Sequence, residues 1–191
     1  MKWLEDEITK RGKILDGNIL KVNSFLNHQL DIELLDKMTL LWFDHFKKKH
    51  PTKILTIEAS GIALATLAAA RFKTPAVFAK KGSPKNLGES YNADVYSYTK
   101  NEYQTVSVEK DFLTKDDVVL IVDDFLANGE ACKGLINLCN QAGAQVIGVG
   151  VVIEKGFQKG GDELRNMGVD LFSLEIIDSM DSSSGKIKFR H

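Results

Sequence analysis

Apolar residues recur along this chain in two different periods. Behind Asp31, a residue suited to cap a helix, Ile32, Leu34, Leu35, Met38, Leu41, Trp42 and Phe46 fall at helical spacing. They predict a long helix, with Lys47-Lys48-Lys49 as its solvated, dipole-complementing end and Pro51 as its stop. A short charged helix over 3–11 and two short extended pieces about Asp16-Gly17-Asn18 precede it. Beyond Pro51 the pattern alternates. Lys53–Ile57 is a strand, Ser60–Phe72 an alanine-rich helix and Ala76–Ala79 a strand. Residues 80–94 are polar and rich in glycine and proline, which reads as a long loop. Val95–Tyr98 and Thr105–Val108 form a hairpin, and Val118–Val122 is an uninterrupted aliphatic strand. The helix Gly129–Ala142 ends at Gly143. The strand Gln145–Ile153, the helix Gly160–Met167, the strand Asp170–Leu174 and an edge strand at Lys186–Phe189 complete the order.

Strand–helix–strand order with continuous aliphatic strands predicts an α/β chain, a central parallel sheet flanked by helices. Such sheets take ligands beyond the carboxyl ends of their strands. At 191 residues the chain suits one domain with a full core. Its net charge of −1 gives no basis for generic binding to nucleic acid or an anionic membrane. No apolar run approaches the roughly 20 residues of a membrane span, and the mixed-charge start MKWLEDEITKRGK is not a signal peptide, so a cytoplasmic protein is expected. Cys132 and Cys139 read as buried small hydrophobes in a reducing compartment, without metal-ligand spacing.

The segment VVLIVDDFLANGE, residues 118–130, carries the chemistry. A buried strand delivers Asp123 and Asp124 to the sheet's carboxyl edge, and a small polar turn opens the next helix. The N–H groups of Ala127, Asn128, Gly129, Glu130 and Ala131 would face outward at that helix N-terminus, as an anion site needs. Carboxylates accept from neighbouring hydroxyls, so a sugar with vicinal hydroxyls and a nearby phosphate satisfies both halves. An ordinary turn after a solvated strand end has the same spacing.

The thirteen residues together resemble the phosphoribosyl pyrophosphate motif of the type I phosphoribosyltransferases. One departure is that the loop commonly ends in threonine and glycine, whereas here fewer side-chain hydroxyls face the phosphate. The resemblance implies the type I phosphoribosyltransferase fold over 1–191, with a core of about 50–155. A small hood would come from about 1–30 and 155–191, and a mobile lid from the loop 80–94. Glu58-Ala59-Ser60-Gly61 then looks like the pyrophosphate loop, with a cis peptide expected at Ala59–Ser60, and Lys80 stands at the lid's entry.

Three stretches, LKVNSFLNHQ (20–29), IVDDFLANG (121–129) and VIEKGFQ (152–158), resemble the bacterial, xanthine-using branch of that family. This implies Leu20, Asn27, Lys155 and Phe157 as base contacts. The Lys155 ammonium would donate to a 6-oxo group and N7, the Asn27 amide to a 2-oxo group, and Phe157 would cover the purine face. The implied reaction joins xanthine to phosphoribosyl pyrophosphate, with Asp123 and Asp124 as the catalytic carboxylates. Mg²⁺ would be held mainly through the substrate rather than by protein ligands. A homodimer is implied, with Tyr91, Tyr96, Tyr98 and Tyr103 of the hairpin available to an interface. Alternatives are a hypoxanthine or guanine transferase, and a purine regulator that binds phosphoribosyl pyrophosphate without catalysis. The regulator would need a basic DNA-binding domain, which the short, near-neutral N-terminal segment does not offer.

Overall fold

The computed structural model describes residues 1–82, 88–97 and 101–191. Residues 83–87 of the expected lid, and Tyr98, lie outside them. Among the described residues, eight strands make one sheet in the order β10-β9-β8-β7-β3-β4-β6-β5. Its parallel centre is β9 (Leu171–Asp181), β8 (Gln145–Lys155), β7 (Val118–Leu126), β3 (Lys53–Ile57) and β4 (Ala76–Lys81). Antiparallel strands border it: β10 (Lys186–Phe189) beside β9, and the hairpin β5 (Ser90–Ser97) and β6 (Glu102–Glu109) beside β4. Strand order reverses at β3, which has β4 on one side and β7 on the other, so a crevice opens between the carboxyl ends of β3 and β7.

Each sheet face has its own core. One face packs Ile54, Leu120 and Val122 against α3 (Gly61–Phe72) and α2 (Ile32–Phe46), whose Leu35, Met38, Trp42 and Phe46 are fully buried. Helix α1 (Lys2–Arg11) and the short hairpin β1 (Lys13–Leu15) and β2 (Ile19–Lys21) add Leu4, Ile8 and Leu20 to the same core. The other face packs Leu55, Val119, Ile121 and Val149 against α4 (Glu130–Ala142), where Cys132 and Cys139 are buried free thiols. Asp31 caps α2, its side chain accepting from the Leu34 amide at 3.4 Å. Arg11 ties this corner together, donating to Asp31 at 2.8 Å and to the Ser24 carbonyl at 2.9 Å. No helix among the described residues is long and apolar enough to cross a membrane.

Several elements depart from the sequence expectation. β7 continues past Val122 to Leu126, because its pairing with β8 runs on to Leu126 opposite Glu154. The hairpin strands are longer than their apolar cores, since β5 includes the polar residues 90–94 and Lys80 and Lys81 complete β4; the polar loop is shortened from both sides. β9 reaches Asp181 rather than Leu174. Residues Asn23–Asn27 form a single π-helical turn between β2 and α2, and the periodicity gave no sign of it.

Candidate active site

Both carboxylates lie within β7, not at a solvated strand end: Asp123 is 5% and Asp124 7% exposed. They line a cavity of about 280 Å³ together with Glu58, Ser60, Lys81, Tyr96 and the loop from Phe125 to Ala131. The cavity sits at the β3–β7 crevice, where the strand order predicts a ligand. Asp123 Oδ1 accepts from the Asp124 amide at 3.0 Å. Burial, and after it the charge of Asp124, pushes the Asp123 carboxyl well above its ordinary range, while the Lys81 cation opposes that rise.

Two loops border the cavity. After β7 the chain turns at Gly129 and enters α4. Gly129 is left-handed (φ 80°), a conformation open to glycine at little cost. A Cβ on Gly129 would stand 3.1 Å from the Gly160 Cα, and one on Gly160 would meet the Ala127 carbonyl at 2.4 Å. The Gly160 amide donates to that carbonyl at 3.1 Å, so α5 (Gly160–Asn166) presses directly on the loop. The first N–H groups of α4, from a 13-residue helix, have no intrahelical acceptor and lie along this cavity wall. After β3, residues 58–60 turn into α3. Glu58 is held in place by the Lys81 amide, which donates to its Oε1 at 2.7 Å. The cis peptide lies between Glu58 and Ala59, one bond earlier than expected. Gly61 lies behind this loop: a Cβ there would strike Thr56 Oγ1 at 1.9 Å and stand 3.3 Å from Asp123 Oδ1.

The expected phosphate and sugar residues therefore converge, with exceptions. Ala127 to Ala131, Glu58 and Ser60 line the cavity, whereas Ala59 is exposed beside it and Gly61 is buried behind it. Lys80 points to the opposite face, into a separate depression with Phe78 and Phe112, and Lys81 faces the cavity instead. The strand's alternation carried that signal, since Ala79 is buried in the α4-side core and Lys81 shares its parity.

The expected base residues form a second group, adjoining the first through Asp124 and Phe125. Asn27, at the end of the π-helical turn, donates its Nδ2 to Asp124 Oδ2 in a short contact. Lys155, the last residue of β8, donates to the Asn18 carbonyl at 2.9 Å and stands 5.9 Å from the centre of the Phe125 ring. Burial pulls its ammonium below the usual lysine range. Phe157 is partly buried against the α2-side core, and Leu20 is buried within it. Sequence reasoning missed Phe125, whose place after the two aspartates gave the available signal. It also missed Glu154, a buried carboxylate before Lys155 that Arg165 of α5 holds at 2.8 and 2.7 Å.

A buried carboxylate pair beside a helix N-terminus, at the switch point of a parallel sheet, is an arrangement suited to a phosphorylated sugar. The chain matches the phosphoribosyl transferase domain over residues 27–182 and belongs to that family. A xanthine phosphoribosyltransferase of Bifidobacterium animalis subsp. lactis is 55% identical over 100% of both chains. One of Ligilactobacillus salivarius is 51% identical over 96% of both. Among solved structures, the adenine phosphoribosyltransferase of Giardia lamblia complexed with 9-deazaadenine superposes with a TM-score of 0.78 at 25% identity, covering 91% of this chain and 96% of that one. That of Rhodothermus marinus gives 0.74 at 19%, covering 92% and 99%, and shares the fold.

Proposed function

We propose that this chain transfers the 5-phosphoribosyl group from phosphoribosyl pyrophosphate to xanthine, giving xanthosine 5′-monophosphate and pyrophosphate in purine salvage. The observation that carries the reaction is the cavity that brings together Asp123, Asp124, Glu58, Ser60 and the loop from Phe125 to Ala131. The choice of base rests on full-length relatives named xanthine phosphoribosyltransferase at 51–55% identity.

In this reading Asp123 and Asp124 accept from the ribose hydroxyls and hold C1′ in line with the base. The 127–131 loop binds the 5′-phosphate through its N–H groups. The loop at Glu58 and Ser60, with Lys81 in place of Lys80, receives the leaving pyrophosphate. C1′–O cleavage runs ahead of attack by the base nitrogen, so positioning and charge stabilisation supply the catalysis and no covalent nucleophile is required. Mg²⁺ would be held mainly through the substrate's own oxygens, beside the Asp123 and Asp124 carboxylates, and would neutralise the departing pyrophosphate. Lys155 and Asn27 donate to the 6-oxo and 2-oxo groups, and Phe125 joins Phe157 as aromatic cover for the purine. Leu20 acts from behind, as part of the core under the hood.

The chain works as a single domain with a hood over its core, in the cytoplasm, as a homodimer. Exposed Phe78 and Phe112, and Tyr103 paired across the hairpin with Tyr96, support the last of these. The test is turnover of xanthine, guanine, hypoxanthine and adenine in parallel with phosphoribosyl pyrophosphate and Mg²⁺. Preferred turnover of xanthine is expected. Equal or faster turnover of guanine or hypoxanthine would retain the phosphoribosyl site and overturn the base assignment. Binding of phosphoribosyl pyrophosphate without turnover of any base would favour the regulator.

A further inference from the structure

We propose that Lys133 is a positioning residue for the 5′-phosphate loop: it holds the Glu130 carboxylate away from the N–H groups that receive the anion. The inference rests on the transferase reading above and adds a residue to it.

Glu130 is the first residue of α4, directly after Gly129, and it lines the cavity. A glutamate at that position is favourable to a bare helix, because it complements the dipole. In a phosphate loop the same position is a liability. Its carboxylate competes with the phosphate for the same free donors and adds a like charge beside a dianion. The structure shows how the conflict is resolved. One turn along α4, Lys133 Nζ donates to Glu130 Oε1 at 2.7 Å and to Glu163 Oε2 at 2.9 Å. Lys159 holds the other Glu163 oxygen at 3.1 Å.

The four side chains form a run of alternating charge, Glu130–Lys133–Glu163–Lys159, in which two cations cancel two anions. Its far end belongs to the α5 segment, which presses on the loop through the Gly160 amide and the Ala127 carbonyl. The loop and the group that neutralises its carboxylate are thus fixed to the same helix. These ion pairs are partly exposed, with the Lys133 and Glu130 side chains 29% and 27% accessible. Such pairs add little to folding stability. The effect of Lys133 should therefore appear in substrate binding rather than in the melting temperature.

Steady-state kinetics with phosphoribosyl pyrophosphate varied at saturating xanthine tests this. Lys133→Met keeps the aliphatic stem and removes the charge. It should raise KM for phosphoribosyl pyrophosphate about 3–10-fold, with kcat and the KM for xanthine within about two-fold of wild type. Adding Glu130→Gln should bring that KM back toward wild type, because no carboxylate remains to be held. Glu163→Gln removes the competitor for the same ammonium, so KM should stay at or below the wild-type value. An unchanged KM in Lys133→Met, a raised KM that persists in the double variant, or a raised KM in Glu163→Gln would each overturn the proposal while leaving the transferase reading intact. Absence of turnover in the unmodified chain would instead overturn the transferase reading, and this one with it.

Discussion

The two halves of the proposed active site are built by different means. The sugar-phosphate half comes from the sheet itself: two buried carboxylates inside β7, and the two loops that follow β3 and β7. The base half joins Phe125 and Lys155 of the sheet to attachments. The π-helical turn reaches Asp124 through one side-chain amide, and the β1–β2 turn reaches Lys155 through one carbonyl. Backbone placement survives wide sequence change, whereas side-chain donors change with single substitutions.

The largest expected effect tests the sugar half. Asp124→Asn weakens two charge-assisted acceptors and should lower kcat/KM by about 100-fold or more, with little loss of thermal stability. Asp123→Asn should cut turnover comparably but change stability in the opposite sense. In the unfolded chain Asp123 ionises in the ordinary range; in the folded chain its carboxyl is held well above that. The folded state therefore binds the extra proton, and wild-type stability falls as pH rises out of the ordinary carboxylate range. The variant lacks this dependence, so its melting temperature should match wild type near pH 4 and exceed it at pH 7. A lower melting temperature at pH 7 would mean that Asp123 supports the fold.

A smaller effect is expected where α5 meets the phosphate loop. Gly160→Ala places a Cβ 2.4 Å from the Ala127 carbonyl. The loop must move, and KM for phosphoribosyl pyrophosphate should rise about 10-fold with the KM for xanthine unchanged. The smallest effect sharpens the comparison itself. Asn27→Ala should narrow the preference for xanthine over guanine by about 5–10-fold, read as a ratio of kcat/KM values. If it instead moved KM for phosphoribosyl pyrophosphate more than that ratio, Asn27 would serve Asp124 rather than the base, and the division into two halves would fail.

The same division governs what could be read from the sequence. β3, α2 and the start of β7 were plain because aliphatic runs and helical spacing reflect burial, and burial dominates their energetics. The end of β7 was not, because two carboxylates in succession look like solvent, and only the continuing ladder to β8 keeps Asp123 and Asp124 within the strand. Residues 90–94 look like loop for a similar reason: Ser90, Asn92 and Asp94 are polar, and only pairing with β6 places them in the edge hairpin. Lys80 and Lys81 are chemically equivalent neighbours, and only the parity of the strand separates them. The partners of Asn27 and Lys155 could not be foreseen. Each bond spans about a hundred residues or more, 97 and 137, and depends on how the N-terminal segment docks.

The two thiols of α4 give the molecule a built-in reporter. Burial holds both well above the usual cysteine range, Cys139 at about 12, with the nearby carboxylates adding to the effect, so neither is a ready nucleophile in the closed protein. Cys132 forms part of the cavity wall, while Cys139 lies within the core beneath. An alkylating reagent must therefore wait for the structure to open. Labelling of Cys132 should slow when the cavity is filled, in step with occupancy. Labelling of Cys139 should follow opening of the whole α4 face. Mass spectrometry of the two peptides would then follow ligand binding and unfolding separately, in the unmodified chain.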